Sequence, residues 1–69
     1  MTESVYKIIE LVGSSPDGWE QATKNAVERA SKSLRDLRIV EVVKLDAKIE
    51  DGKIAMYRAK VKVSFKFED

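Results

Sequence analysis

The chain has 69 residues, with 13 lysines and arginines against 12 aspartates and glutamates, and neither cysteine nor histidine. Those two absences exclude disulfide staples, thiolate zinc sites and histidine-based acid–base or metal chemistry, and a net charge of +1 argues against a dedicated nucleic-acid binder. A chain this short buries only about 60 % of the surface its unfolded form exposes, so partner subunits or a carboxylate-bound hard cation are the remaining sources of added stability.

The first four residues, Met1-Thr2-Glu3-Ser4, lack the shape of a signal peptide. No apolar run approaches the ~18–20 residues needed to span a bilayer. The expectation is a single cytoplasmic domain over residues 1–69, with no membrane partner. Val5 to Val12 is rich in β-branched and aromatic side chains and too short for a strong helix, which predicts a first strand with apolar residues on both faces. Gly13-Ser14-Ser15-Pro16-Asp17-Gly18 is turn chemistry leading into a helix, with Ser15 or Asp17 as the expected cap.

From there to about Leu34, the apolar residues Trp19, Ala22, Ala26, Val27, Ala30 and Leu34 recur at spacings of three and four, one stripe of a helix. The stripe is mostly alanine, so the helix can lie close to a sheet. Glu20–Lys24 and Glu28–Lys32 are favourably oriented pairs on its outer face.

At Ile39 the period becomes two, with Ile39, Val43, Leu45, Ala47 and Ile49 expected on one face of a second strand. Asp51-Gly52 is a two-residue hairpin signal, because both central positions of that turn take positive φ. The returning third strand alternates Tyr57, Ala59, Val61, Val63, Phe65 and Phe67 against Met56, Arg58, Lys60, Lys62, Ser64 and Lys66. The fold class is therefore α+β: a β-α-β-β chain whose crossover makes the first two strands parallel, and if the third strand sits between them the order 1-3-2 gives a fully antiparallel sheet with the helix on its apolar face. The open edges of such a sheet call for cover from another subunit.

No catalytic constellation is present. There is no Gly-x-Ser-x-Gly and no Gly-rich phosphate loop, and the acids lie on faces that read as solvated, so the chain is read as a non-enzyme. The row Arg58, Lys60, Lys62, Lys66 reads either as an anion-attracting face or as a solvated face paired with acids such as Asp46 and Glu50; the second is favoured. Trp19 reads as a core or interface anchor in preference to a stacking platform. Asp17 with Glu20, or Glu50 with Asp51, offers oxygen ligands for a hard cation without calcium-loop spacing.

Four segments in order, Val5-Tyr6-Lys7-Ile8-Ile9-Glu10-Leu11-Val12-Gly13-Ser14-Ser15, Trp19-Glu20-Gln21-Ala22, Asp51-Gly52-Lys53-Ile54 and Val61-Lys62-Val63-Ser64-Phe65, resemble the dodecin family over essentially the whole chain. The resemblance implies a three-stranded antiparallel sheet wrapped on one helix and a hollow homododecamer closed by trimer contacts and sheet edges. It also implies storage or sequestration of a small ligand, usually a flavin such as riboflavin or FMN and in some members coenzyme A.

In flavin-binding members a tryptophan ahead of the second strand stacks on the flavin, and a glutamine after the third-strand tyrosine bonds its polar edge. Here Ile39 and Arg58 stand at those positions. An aliphatic chain supplies no π face, a contact worth roughly 1–3 kcal/mol, and a guanidinium only donates where an amide also accepts. Asp46 stands where coenzyme A binders carry a basic residue, although Lys66 keeps a positive charge on the third strand. The candidate ligand-contacting positions carried by the resemblance are Ile39, Glu41, Arg58 and Lys66. Alternatives to a flavin are an anion, a divalent cation in a metal-binding shell, or no ligand at all in a structural or protein-interaction oligomer.

Overall fold

A computed structural model describes residues 4–66. It contains β1 (Tyr6–Ser15), α1 (Trp19–Ser31), β2 (Leu37–Glu50) and β3 (Lys53–Lys66). The sheet order is β1-β3-β2, with β3 antiparallel to both neighbours. The expected α+β, β-α-β-β architecture is the one observed, with α1 across one face of the sheet. Phe67, expected to continue β3, lies outside the described residues.

The β2–β3 turn has the predicted geometry, with Asp51 at φ 53° and Gly52 at φ 75°. A primed turn of this kind matches the right-handed twist of the two strands it joins. β1, expected to end at Val12, runs on through Gly13 and Ser14 to Ser15, opposite Ala59, Arg58 and Tyr57 of β3. The long β3 offers these residues ladder partners, and that outweighs their turn propensity. Gly13 has a further role: a β-carbon there would collide with the backbone carbonyl of Ala22 and stand 3.0 Å from the Ala26 methyl. Its bare backbone is what lets α1 settle on the sheet.

The helix start differs from expectation. Gly18 holds the capping position at φ 143°, with no side-chain cap, and its carbonyl accepts the Ala22 N–H at 3.0 Å. Ser15 is still part of β1 and buried, three residues too early to cap. Its Oγ accepts the Asp17 N–H at 3.0 Å and braces the turn instead. α1 ends at Ser31, short of Leu34, where the Ser33 and Leu34 N–H groups both turn back to the Ala30 carbonyl. Of the two expected helix-surface pairs, Glu20–Lys24 is present at 3.9 Å with both side chains well exposed, a contribution of a few tenths of a kcal/mol at most.

Ala22, Ala26, Ala59, Val61 and Val63 form the core, with Ile9, Leu11 and Leu37 packed against it. The large side chains fully buried among the described residues are Val61 and Val63, each worth about 1.5–3 kcal/mol of burial. Ile39, Val42, Val43, Leu45, Ile49 and Ile54 all remain 45 % exposed or more.

β2 also departs from simple alternation. Directly opposite residues share a face, so Val40 (opposite Val63) and Val42 (opposite Val61) face the helix, as do Leu45 (opposite Ala59) and Ala47 (opposite Tyr57). Ile39, opposite Ser64, lies on the far face. The register shift between Val42 and Lys44 inserts Val43 as an extra residue. An extra residue reverses the side-chain phase of a strand, so of the residues expected on one face Leu45 and Ala47 lie toward the helix, Ile39 lies on the opposite face, and Val43 is the bulged residue between them.

Two substitutions test this packing. Gly13→Ala should cost about 1–3 kcal/mol through overpacking, read as a lowered midpoint in urea unfolding. Val63→Asp places an unpaired charge at a position 1 % exposed; the expected result is insoluble or unfolded protein by circular dichroism, and a soluble, folded variant would contradict the assigned strand face.

Candidate functional site

The sheet face away from α1 carries the candidate residues. Across the three strands it reads in rows: Ile8, Ser64 and Ile39; Glu10, Lys62 and Glu41; Val12, Lys60 and Lys44; Ser14, Arg58 and Asp46. Lys66 stands opposite Tyr6 at one end. Opposite charges alternate over much of this face, as the paired reading of the basic row requires.

Its best-ordered feature is the Arg58–Asp46 pair. Arg58 Nε donates to Asp46 Oδ1 at 2.7 Å and Nη2 to Oδ2 at 2.9 Å, the bidentate geometry that suits a planar guanidinium. Those hydrogen bonds hold the Asp46 carboxyl below its ordinary value; partial desolvation opposes them, and the charges of Arg58 and Lys44 add to the lowering. The same pairing raises Arg58. Both side chains are substantially exposed, so the pair orients Arg58 more than it stabilises the fold.

Asp46 also reaches the other face. Its backbone carbonyl accepts the Trp19 indole N–H at 2.9 Å, and the Trp19 ring meets Tyr57 edge-on with centroids 4.9 Å apart at 74°. Trp19 is thus a structural anchor between the start of α1 and the hairpin, as expected. An open groove of about 450 Å³ runs beside it, lined by Thr23, Val42 and Leu45 with Glu20 and Lys24 at the rim.

The four candidate positions do not converge within one subunit. Ile39 is 65 % exposed beside Ser64, Glu41 is opposite Lys62, and Lys66 lies two residues beyond Ser64, so these three share one end of the sheet. Arg58 lies six residues from Ser64 along β3, about 20 Å at the rise of an extended strand. Among the described residues no group of three or more acidic, histidine or cysteine side chains is arranged to hold a metal. Glu50, expected with Asp51 as a cation pair, is engaged by Lys48 at 3.2 Å. The residue that sequence reasoning underrated is Asp46, which faces Arg58 only because the ladder shifts between Lys48 and Ile49. Counting back from the turn without that shift sets it opposite Tyr57.

These features define a small β-α-β-β chain with a large uncovered apolar surface. The comparisons carry the identification further. The family model for dodecin matches residues 5–68. The calcium dodecin of Mycobacterium tuberculosis is 44 % identical over 63 residues, covering 91 % of this chain and 89 % of that protein, and the dodecin of Thermus thermophilus is 38 % identical over 65 residues, covering 94 % of each.

Among solved structures, dodecin from Streptomyces coelicolor superposes with a TM-score of 0.94 at 43 % identity, covering 100 % of this chain and 99 % of that one. The M. tuberculosis calcium dodecin, described as calcium-chelating with a novel calcium-binding site, superposes with a TM-score of 0.83 at 47 % identity, covering 94 % and 93 %. The chain belongs to the dodecin family, whose members are binding and storage proteins. No helix among the described residues is long and apolar enough to cross a membrane.

The Arg58–Asp46 pair has a pH signature. A carboxylate whose folded pKa is depressed adds stability above its unfolded value, and that contribution is lost as the pH falls through the folded value. In an NMR titration the Asp46 carboxyl should show its midpoint below 3.8 and return toward that value in Arg58→Gln. An unmoved midpoint would mean that the pair does not form in solution.

Proposed function

We propose that this chain is a non-enzymatic subunit of a homododecameric dodecin-like shell that sequesters a small ligand, and that the ligand is a divalent cation such as calcium held between subunits. The assembly reading rests on the apolar side chains of β2 and the end of β1 that α1 leaves uncovered, together with the family relationship. A lone subunit of this size would keep those groups in water.

The ligand reading rests on one observation: the residues at the two flavin-contacting positions are unsuited to a flavin. Ile39 offers no ring, and Arg58 is committed to Asp46 at 2.7 and 2.9 Å. Losing two stacking contacts of roughly 1–3 kcal/mol each weakens flavin binding by orders of magnitude. A relative 44 % identical is a calcium dodecin, which supports a cation as the alternative. With no cluster of three acids among the described residues, the six to eight oxygen ligands that calcium takes would come from more than one copy. Glu41 is the candidate acid at the Ile39 end of the sheet, and Lys66, near it, would balance a carboxylate or phosphate bound there.

Native mass spectrometry tests both parts together. The expected spectrum is a dodecamer whose mass falls by whole calcium ions after EDTA treatment, with no quenching of riboflavin fluorescence at micromolar protein. A stable monomer would overturn the assembly reading, quenching of riboflavin by the wild type would overturn the ligand reading, and a dodecamer with no retained cation would point to a structural or protein-interaction oligomer. Replacing Ile39 with Trp should raise riboflavin affinity about tenfold or more if one stacking face is restored, read by the same quenching.

A further inference from the structure

The cross-strand ladder contains an unfavourable feature that the fold does not require. On the face away from α1, Lys44 of β2 stands directly opposite Lys60 of β3. Elsewhere in the described ladder, a charged residue meets an opposite charge or an uncharged side chain: Glu10 and Glu41 flank Lys62, Asp46 faces Arg58, and Glu50 faces Lys53. Like charges directly opposite on a sheet are destabilising.

The available counter-charges do not resolve the conflict. Asp46, two residues along β2 on the same face, gives both carboxylate oxygens to Arg58. Glu10 forms a long ion pair with Lys60 at 3.9 Å, but no carboxylate lies within ion-pair distance of Lys44 among the described residues. Val12, the third member of the row, is apolar and 60 % exposed.

We propose that Lys44 and Lys60 together form a binding site for a small phosphate-bearing anion, with Arg58 held beside them by Asp46. Directly opposite residues have Cβ atoms about 4.5–5.5 Å apart, so two flexible ammonium groups converge readily on one compact oxyanion. Lysine's strongly hydrated point charges suit phosphate oxygens and impose no planar geometry. The bound anion turns the repulsive pair into an attractive three-centre arrangement. The site rests on the cross-strand register alone and is independent of the cation and assembly readings.

The test uses the intact wild-type protein, first freed of divalent cations with EDTA, with sodium pyrophosphate as the probe and ionic strength held constant with sodium chloride. The expected result is a melting midpoint that rises with pyrophosphate and not with chloride. Lys44→Glu should melt higher than wild type without anion, because it replaces repulsion across the ladder with an ion pair to Lys60. It should also weaken the apparent pyrophosphate affinity about tenfold or more. Lys44→Gln should lose the pyrophosphate response without disturbing the fold, and decides the matter if Lys44→Glu fails to assemble. Lys53→Gln, at the far end of the hairpin, should keep the wild-type response. Absence of a specific wild-type shift, an undiminished shift in the Lys44 variants, or a lower anion-free midpoint in correctly assembled Lys44→Glu would each overturn the proposal.

Discussion

A mismatch of lengths governs this molecule. The 13-residue α1 spans about 20 Å at the rise of an α-helix, while β2 and β3, at 14 residues each, extend about 46 Å. One helix cannot cover such a hairpin. Its alanine stripe and the bare backbone of Gly13 bring it as close to the sheet as contact allows, yet the burial it achieves centres on Val61 and Val63. The apolar residues of β2 stay in solvent along most of the strand. Their exposure is not a packing error in a chain whose other local signals agree with its fold; in the proposed assembly it is surface left for copies of the same chain.

The second organising feature is the tie between the two sheet faces at Asp46. Its carbonyl holds the Trp19 indole on the helix side, and its carboxylate holds Arg58 on the other. This one residue therefore anchors the start of α1 to the middle of the hairpin and fixes the orientation of the best-ordered cation on the far face. A tryptophan that composition alone would offer as a ligand platform is thereby occupied with structure, edge-on to Tyr57.

On the proposed reading, the chemistry left to the far face is that of small, charged ligands. Among the described residues the far face is a lattice of alternating charges with one repulsive step, and its aromatic ring, Tyr6, stands at one end opposite Lys66. Within the dodecin family this chain keeps the architecture and changes what the architecture presents. Such divergence is expected when assembly depends on apolar strand faces and ligand choice depends on a few exposed side chains on the opposite side.

Much of the fold was legible in the residues themselves. The alanine stripe at spacings of three and four, the Asp51-Gly52 turn, and the strict alternation from Tyr57 to Lys66 each carry a local physical signal, and the order 1-3-2 is the one that makes the whole sheet antiparallel. The position of the site was less legible, because it depends on register. Two irregularities in the β2–β3 ladder, one between Lys48 and Ile49 and one at Val43, decide that Asp46 meets Arg58 and that Lys44 meets Lys60, and the one at Val43 sets Leu45 on the opposite face from Ile39. A bulge forms where twist and long-range pairing are most easily satisfied together, and no single residue announces it. The sequence by itself determined the elements, their order and the absence of histidine or cysteine chemistry. Only the tertiary structure decided which charges face one another, because side-chain partnership across a sheet is set by the pairing of distant segments.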